Sequence, residues 1–179
     1  MPTGSASTRL IVVRGNSGSG KSSIAQGIRA AYGHGIAWVE QDFVRRMIFN
    51  ELDQPDGANI GMIERIAGYA LDRGFHVVLE GILPTRRYGE MLARLAREHL
   101  GNSFFYYLDV PFDETVRRHA TRPKAAAFGL DEMRAWYRAR DLLATPEETL
   151  IDESSSLDAT VRLILADSGL RYVPPHVCP

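Results

Sequence analysis

Leu10-Ile11-Val12-Val13-Arg14-Gly15-Asn16-Ser17-Gly18-Ser19-Gly20-Lys21-Ser22 decides the fold. The four apolar residues 10–13 form a buried-strand candidate. Residues 15–22 then follow G-x-x-x-x-G-K-S without departure, and 23–32 is helix-compatible. The glycines let the backbone wrap with its N–H groups inward, making an anion nest. The start of the next helix adds the positive end of its dipole. Gly15, Asn16, Ser17, Gly18, Ser19, Gly20 and Lys21 are therefore candidates to hold a nucleoside triphosphate, with Lys21 at the β- and γ-phosphates. The Ser22 hydroxyl is the candidate Mg²⁺ ligand, and Ser23 is placed at the α-phosphate. The competing reading is a plain Gly/Ser turn with an exposed lysine, which the strand–loop–helix context disfavours. Of 21 basic residues only Lys21 and Lys124 are lysine. The arginine excess reads as coding bias, but a compact ammonium fits between phosphates where a planar guanidinium does not.

Outward from this stretch, short apolar runs alternate with amphipathic ones. Further strand candidates are 36–39, 77–79, 104–110 and 149–151. Helical spacing puts Ile63, Ile66, Ala67, Ala70 and Leu71 on one face. It does the same for Tyr88, Met91, Leu92 and Leu95, and for Leu157, Val161, Ile164 and Leu165. Ser155 and Asp158 resemble a capping box opening the last helix. Fully apolar strands alternating with helices imply an α/β fold, a parallel sheet covered on both faces. Ligands of such sheets bind beyond the carboxyl ends of the strands.

The chain has 179 residues, room for one domain spanning 1–179. Residues 1–8 read as a loose tail and 170–179 as a C-terminal tail. A formal net charge of −1 argues against a protein that coats nucleic acid. No apolar run is long enough for a membrane span, and a single cysteine, Cys178, fits a reducing cytoplasm. No metal spacing links the five histidines.

Length and missing motifs prune the nucleotide-binding classes. No N-K-x-D segment reads guanine, and no L-S-G-G-Q-like signature marks a transporter ATPase. Besides the loop, three stretches carry a resemblance: Val39-Glu40-Gln41-Asp42-Phe43-Val44-Arg45-Arg46, Val77-Val78-Leu79-Glu80-Gly81-Ile82-Leu83, and the run from Tyr107 through Asp109 and Arg118 to Arg122. Together they resemble the small P-loop kinases, nearest the group of polynucleotide 5′-kinase domains, zeta toxins, chloramphenicol phosphotransferase and gluconate or shikimate kinases. The resemblance implies a P-loop NTPase fold with a five-stranded parallel sheet of order 2-3-1-4-5, sandwiched by helices, and a helical lid at about 117–140. It implies ATP and Mg²⁺, and transfer of the γ-phosphoryl group to a hydroxyl.

Asp42 follows the second strand and by resemblance accepts or orients the acceptor's hydroxyl proton; the alternative is an N-cap for the helix starting at Phe43. Of Arg45 and Arg46, one would reach a substrate phosphate or carboxylate and the other face solvent. Glu80 takes the place of a Walker B acid and serves either a Mg²⁺-bound water or the substrate. Arg86 and Arg87 either border the acceptor pocket or lie on the surface. Arg118 and Arg122 share a helix face and are candidate phosphate clamps, catalytic as well as nucleotide-binding. Residues 117–140 hold seven cations against Asp131 and Glu132, a pattern suited to a lid with Gly129 and Ala125-Ala126-Ala127 as its mobile part. Arg138 is a candidate substrate ligand, placed on one helix with Arg134 and the core-type aromatics Trp136 and Tyr137. Ser154 and Ser155 follow the fifth strand, on the adenine side.

The leading expectation is an ATP-dependent kinase for a small molecule such as a sugar, nucleoside or antibiotic. A nucleic-acid 5′-hydroxyl kinase is the alternative, disfavoured because 43–100 carries eight arginines against eight acids. A nucleotide-gated binding protein with slow ATPase activity is the other. Neither nucleic acid nor a membrane is an expected partner, and nothing in the sequence fixes the oligomeric state.

Overall fold

Side chains alternate along β1 (Arg9–Gly15), and that alternation sets the layering. Leu10 and Val12 enter one apolar cluster and Ile11 and Val13 the other, all four wholly buried. A strand apolar on both faces must be covered on both. The computed structural model, which describes residues 1–120 and 129–171, meets that demand. Helices α1 (Lys21–Tyr32) and α6 (Leu157–Asp167) cover the Ile11 side, where Ile28 and Ile164 are fully buried. Helices α2 (Ala58–Asp72) and α3 (Thr85–Glu98) cover the Leu10 side with Ile63, Ala67, Leu71, Tyr88 and Leu92.

The sheet is completed by β2 (Ile36–Glu40), β3 (His76–Gly81), β4 (Asn102–Asp109) and β5 (Thr149–Asp152). All pairings are parallel and the order is β2-β3-β1-β4-β5, as the resemblance implies. Each strand lies where the apolar runs place it, with ends differing by one or two residues. The carboxyl ends gather at one edge: Arg14 pairs with Gly81, Gly15 with Leu108, Glu40 with Glu80 and Asp109 with Asp152.

Three local expectations need correction. Residues 1–8 are tied down: Thr3 exchanges backbone hydrogen bonds with Glu98 and Leu100, each 2.9 Å. Its hydroxyl donates to Asp72 at 2.8 Å, and the Met1 ammonium meets Glu98 at 2.8 Å. These contacts use backbone, hydroxyls and a terminus, which leave no hydrophobic pattern. The cap of α6 is Ser156, which accepts from the Ala159 amide at 3.2 Å; Ser155 bonds Thr160 instead. In the lid region α4 (Phe112–Ala120) and α5 (Leu130–Trp136) are described, and α5 ends before Arg138. Tyr137 is extended, so Arg138 shares no helix with Arg134. Arg122, Lys124 and residues 125–127 lie outside the described residues, as do 172–179. Among the described residues no helix is long and apolar enough to cross a membrane.

Candidate active site

The loop after β1 wraps tightly because its glycines allow it. Gly18 sits at φ +82° with its α-carbon against α4, where a Cβ would lie 2.5 Å from the Thr115 carbonyl oxygen. Gly20 caps α1 at φ +113° and, lacking a side chain, offers no bond to the first amides of that helix. Those amides are the donors that an anion at a helix start uses. Lys21 is 8 % exposed, and its Nζ donates to the Asn16 carbonyl at 2.7 Å. The Asn16 side chain is tied to Arg138: Nδ2 donates to the Arg138 carbonyl and Oδ1 accepts the Arg138 amide, both at 2.8 Å.

Glu80, next to last in β3, is 2 % exposed. Burial pushes its carboxyl above the ordinary glutamate range, opposed by the Lys21 ammonium and the Ser22 hydroxyl. Its Oε1 is buried without a partner. A buried, unpartnered carboxylate oxygen next to a hydroxyl suits a hard divalent cation. Ser22 and Glu80 are the side chains here that could hold Mg²⁺, the hydroxyl directly and the carboxylate through a water. Among the described residues no three His, Cys, Asp or Glu cluster as a metal site. Mg²⁺ carried by phosphates needs few protein ligands.

Two cavities flank the loop. The smaller, about 350 Å³, is lined by Ser19, Gly20, Ser23, Arg118, Ser154 and Ser155, among others. Arg118 spans it: Nη1 donates to the Ser19 carbonyl at 3.0 Å, Nη2 to the Glu153 carbonyl at 3.1 Å, and Nε to Glu114 at 2.6 Å. Arg117 pairs with the same Glu114 at the rim. The two guanidiniums pull the Glu114 carboxyl down to about 2.

The larger cavity, about 690 Å³, lies on the other side, with Ser17 in its wall. Asp42, Arg45, Arg46, Arg86 and Arg138 line it, and so does Arg87. Asp42 caps no amide of the π-helical segment Phe43–Ile48; it binds Arg45 at 2.9 Å and Arg46 at 3.4 Å instead. Both arginines line the cavity, Arg45 mostly buried and Arg46 exposed to solvent. Glu80 is not among the lining residues, and Trp136, 38 % exposed, is a wall residue and not a core aromatic. Tyr137 does pack, edge-on to Phe112, with its hydroxyl on the Val110 carbonyl.

No local sequence signal marks Arg14, the residue before Gly15, as part of the site. It is wholly buried. It binds both oxygens of Glu148 at 2.8 Å, the Leu83 carbonyl twice, the Thr85 hydroxyl and Asp141. Asp141, also unmarked, accepts the Thr85 amide at 2.8 Å and lines the larger cavity. Asp53 is likewise unmarked; it pairs with Arg87 and accepts from the Tyr88 hydroxyl.

A phosphate-binding loop between β1 and α1 of a β2-β3-β1-β4-β5 parallel sheet defines a P-loop nucleotide-binding protein, with the fold of the small P-loop kinases. Residues 10–142 match the family model described as AAA domain (AAA_33), and the chain belongs to that family. Solved structures share the fold. A sugar kinase from Janibacter sp. HTCC2649 is similar with TM-score 0.66 and 20% identity, over 93% of this chain and 96% of that one. A gluconokinase from Sinorhizobium meliloti 1021 gives 0.60 and 21%, over 92% and 93%. The Mycobacterium tuberculosis APS kinase CysC, in complex with AMPPNP and APS, gives 0.64 and 20%, over 93% and 98%. No curated protein matches the chain.

Proposed function

We propose that this chain is an ATP-dependent kinase that phosphorylates a hydroxyl group of a small molecule. One observation carries the reading: the phosphate-binding loop is shared by two cavities, Ser19 and Gly20 lining one and Ser17 the other, and Asp42 stands in the second. The smaller cavity takes ATP, its base toward Ser154 and Ser155 and its phosphates in the loop. The larger takes the acceptor. That similar folds belong to a sugar kinase, a gluconokinase and an APS kinase supports the class.

The acceptor oxygen forms a bond to the γ-phosphorus as the bond from that phosphorus to the β,γ-bridging oxygen breaks. The hydroxyl proton passes to the Asp42 carboxylate, and the products are a phosphate ester and ADP. The transition state is loose, so Asp42 mainly orients the hydroxyl. Lys21 and the loop amides meet charge on the β- and γ-phosphates, and preorganised donors of this kind are often the largest catalytic contribution. Arg118, on the Ser19 carbonyl, approaches from the nucleotide side; Arg122 is assigned the same role from its sequence position. Ser22 and Glu80 would hold Mg²⁺, which would supply charge neutralisation at the phosphates. A cytoplasmic setting fits the single cysteine.

The test is incubation with γ-labelled ATP and a fractionated metabolite extract, the labelled product being identified by mass. A labelled alcohol ester is the expected result. ATP turnover that no fraction stimulates would overturn the reading and favour a slow ATPase.

A further inference from the structure

The larger cavity carries a charge pattern that phosphoryl transfer alone does not use. Five arginines line it (Arg45, Arg46, Arg86, Arg87 and Arg138) against four carboxylates (Asp42, Glu51, Asp53 and Asp141). Every carboxylate is engaged. Asp42 holds Arg45 and Arg46, and Asp53 holds Arg87 and the Tyr88 hydroxyl. Glu51 accepts the amides of Ala58 and Asn59 at the start of α2, and Asp141 is taken by Arg14 and the Thr85 amide.

The guanidiniums are not matched in the same way. Among the described residues no carboxylate meets Arg86 or Arg138, and Nη1 of Arg138 donates only to the Ala135 and Tyr137 carbonyls. The Nε atoms of Arg45 and Arg87 are buried with no partner. Buried donors normally find acceptors; here two buried Nε atoms lack one, and the exposed guanidiniums of Arg86 and Arg138 meet no carboxylate among the described residues. A guanidinium fork fits the paired oxygens of an oxyanion.

We infer that the molecule bound here is an oxyanion: a small alcohol bearing a carboxylate, phosphate or sulfonyl-type group, which Arg86 and Arg138 hold with the help of Arg45 and Arg87. That it is the phosphoryl acceptor rests on the kinase reading; that it is anionic does not. Asp42 meets both of its arginines through Oδ1, and it receives the hydroxyl while other residues hold the anionic end.

The experiment is calorimetric titration of the full chain saturated with AMPPNP and Mg²⁺, so that the phosphate-binding loop is occupied. The probes are gluconate and sorbitol 6-phosphate against sorbitol, and isethionate against ethylene glycol. At least one charged probe should bind tenfold or more tightly than its neutral partner, and which one does so separates carboxylate from phosphate and sulfonate. R86Q and R138Q should each weaken that binding about 10- to 100-fold, and R86K should recover part of it. AMPPNP affinity in the variants reports an intact fold. Equal binding of charged and neutral probes, no binding of any charged probe, or indifference to both substitutions overturns the inference. Binding of a 5′-hydroxyl oligonucleotide where no small anion binds also overturns it, in favour of a nucleic-acid strand. Tight binding of a charged probe that is never phosphorylated keeps the anion site and removes the kinase reading.

Discussion

Asn16 and Arg138 stand 122 residues apart in sequence and exchange two hydrogen bonds of 2.8 Å, side-chain amide to backbone in both directions. The second residue of the phosphate-binding loop thereby holds the chain just after α5. The Asn16 carbonyl also receives the Lys21 ammonium at 2.7 Å, so one residue links the loop lysine to the segment after α5. Asn16→Ala strands the Arg138 amide and leaves its carbonyl only the Tyr107 hydroxyl at 3.2 Å. It should lower unfolding free energy by about 1–3 kcal/mol in denaturant titration. Asn16→Asp keeps an acceptor for the Arg138 amide and should recover part of that loss. Equal stability of all three proteins would mean the pair contributes nothing.

Lys21→Met removes the only lysine among the described residues while leaving the loop backbone in place. Removing a preorganised charge at a transferring phosphoryl group is expected to cost roughly 10²–10³ in kcat. Circular dichroism and the unfolding midpoint should stay near wild type. A variant that transfers phosphate at the wild-type rate would sink the assignment of this loop.

Asp42→Asn separates two roles. The carboxylate caps no helix amide, and its arginine pairs are partly exposed at 43 % for Asp42, so stability should change by less than about 1 kcal/mol. Loss of the hydroxyl-orienting base should reduce kcat by about 10²–10⁴ with little change in the KM for ATP. A fall in thermal stability with unchanged kcat would assign Asp42 to structure alone.

Much of this was legible in the sequence, and the unreadable parts share a physical reason. The five strands were readable because apolar side chains on both faces leave an unbroken run, as in Leu10-Ile11-Val12-Val13. Asp42 and Glu80 were readable because a parallel sheet presents the residues after each strand to one edge. Arg14 was not: its partners Leu83, Asp141 and Glu148 lie 69 to 134 residues away, and a lone arginine after a strand looks like a surface end. Arg138 was misplaced because nothing local marks the end of α5 at Trp136. Ser155 and Ser156 differ only in register, and a one-residue shift in a cap is beyond what side-chain pattern resolves.

Glu80→Gln should trade stability against activity in a pH-dependent way. Burial holds the Glu80 carboxyl above its ordinary value of 4.5 in the folded state. The folded protein therefore keeps this proton after the unfolded chain has lost it, and native stability falls as pH rises from about 4.5 through the folded-state value. Glutamine does not titrate. The variant should match wild type near pH 4 and become relatively more stable toward neutrality, while phosphoryl transfer declines. A stability difference independent of pH across this window, measured by thermal unfolding, would contradict the burial effect on Glu80.

Arg14 tests how the larger cavity is held in shape. Its Nε and Nη2 donate to the Leu83 carbonyl at 3.1 and 3.0 Å, and Leu83 sits at φ +43°, a left-handed conformation that costs a non-glycine residue about 1–3 kcal/mol. The same guanidinium binds Glu148, whose side chain is 1 % exposed, and Asp141, which lines the cavity. Arg14→Met leaves the Glu148 charge buried and unpaired and releases Leu83. Breaking such a pair from one side should cost about 3–5 kcal/mol. Arg14→Met with Glu148→Gln removes the orphaned charge and should recover a good part of that stability, leaving mainly the unheld turn at Leu83. In the double variant the KM for the acceptor should rise more than the KM for ATP, because Pro84 and Asp141 form walls of the larger cavity alone. Strict additivity of the two substitutions would show that Arg14 and Glu148 do not act as a pair. Equal changes in the two KM values would place the effect of Arg14 on the whole fold instead of on that cavity.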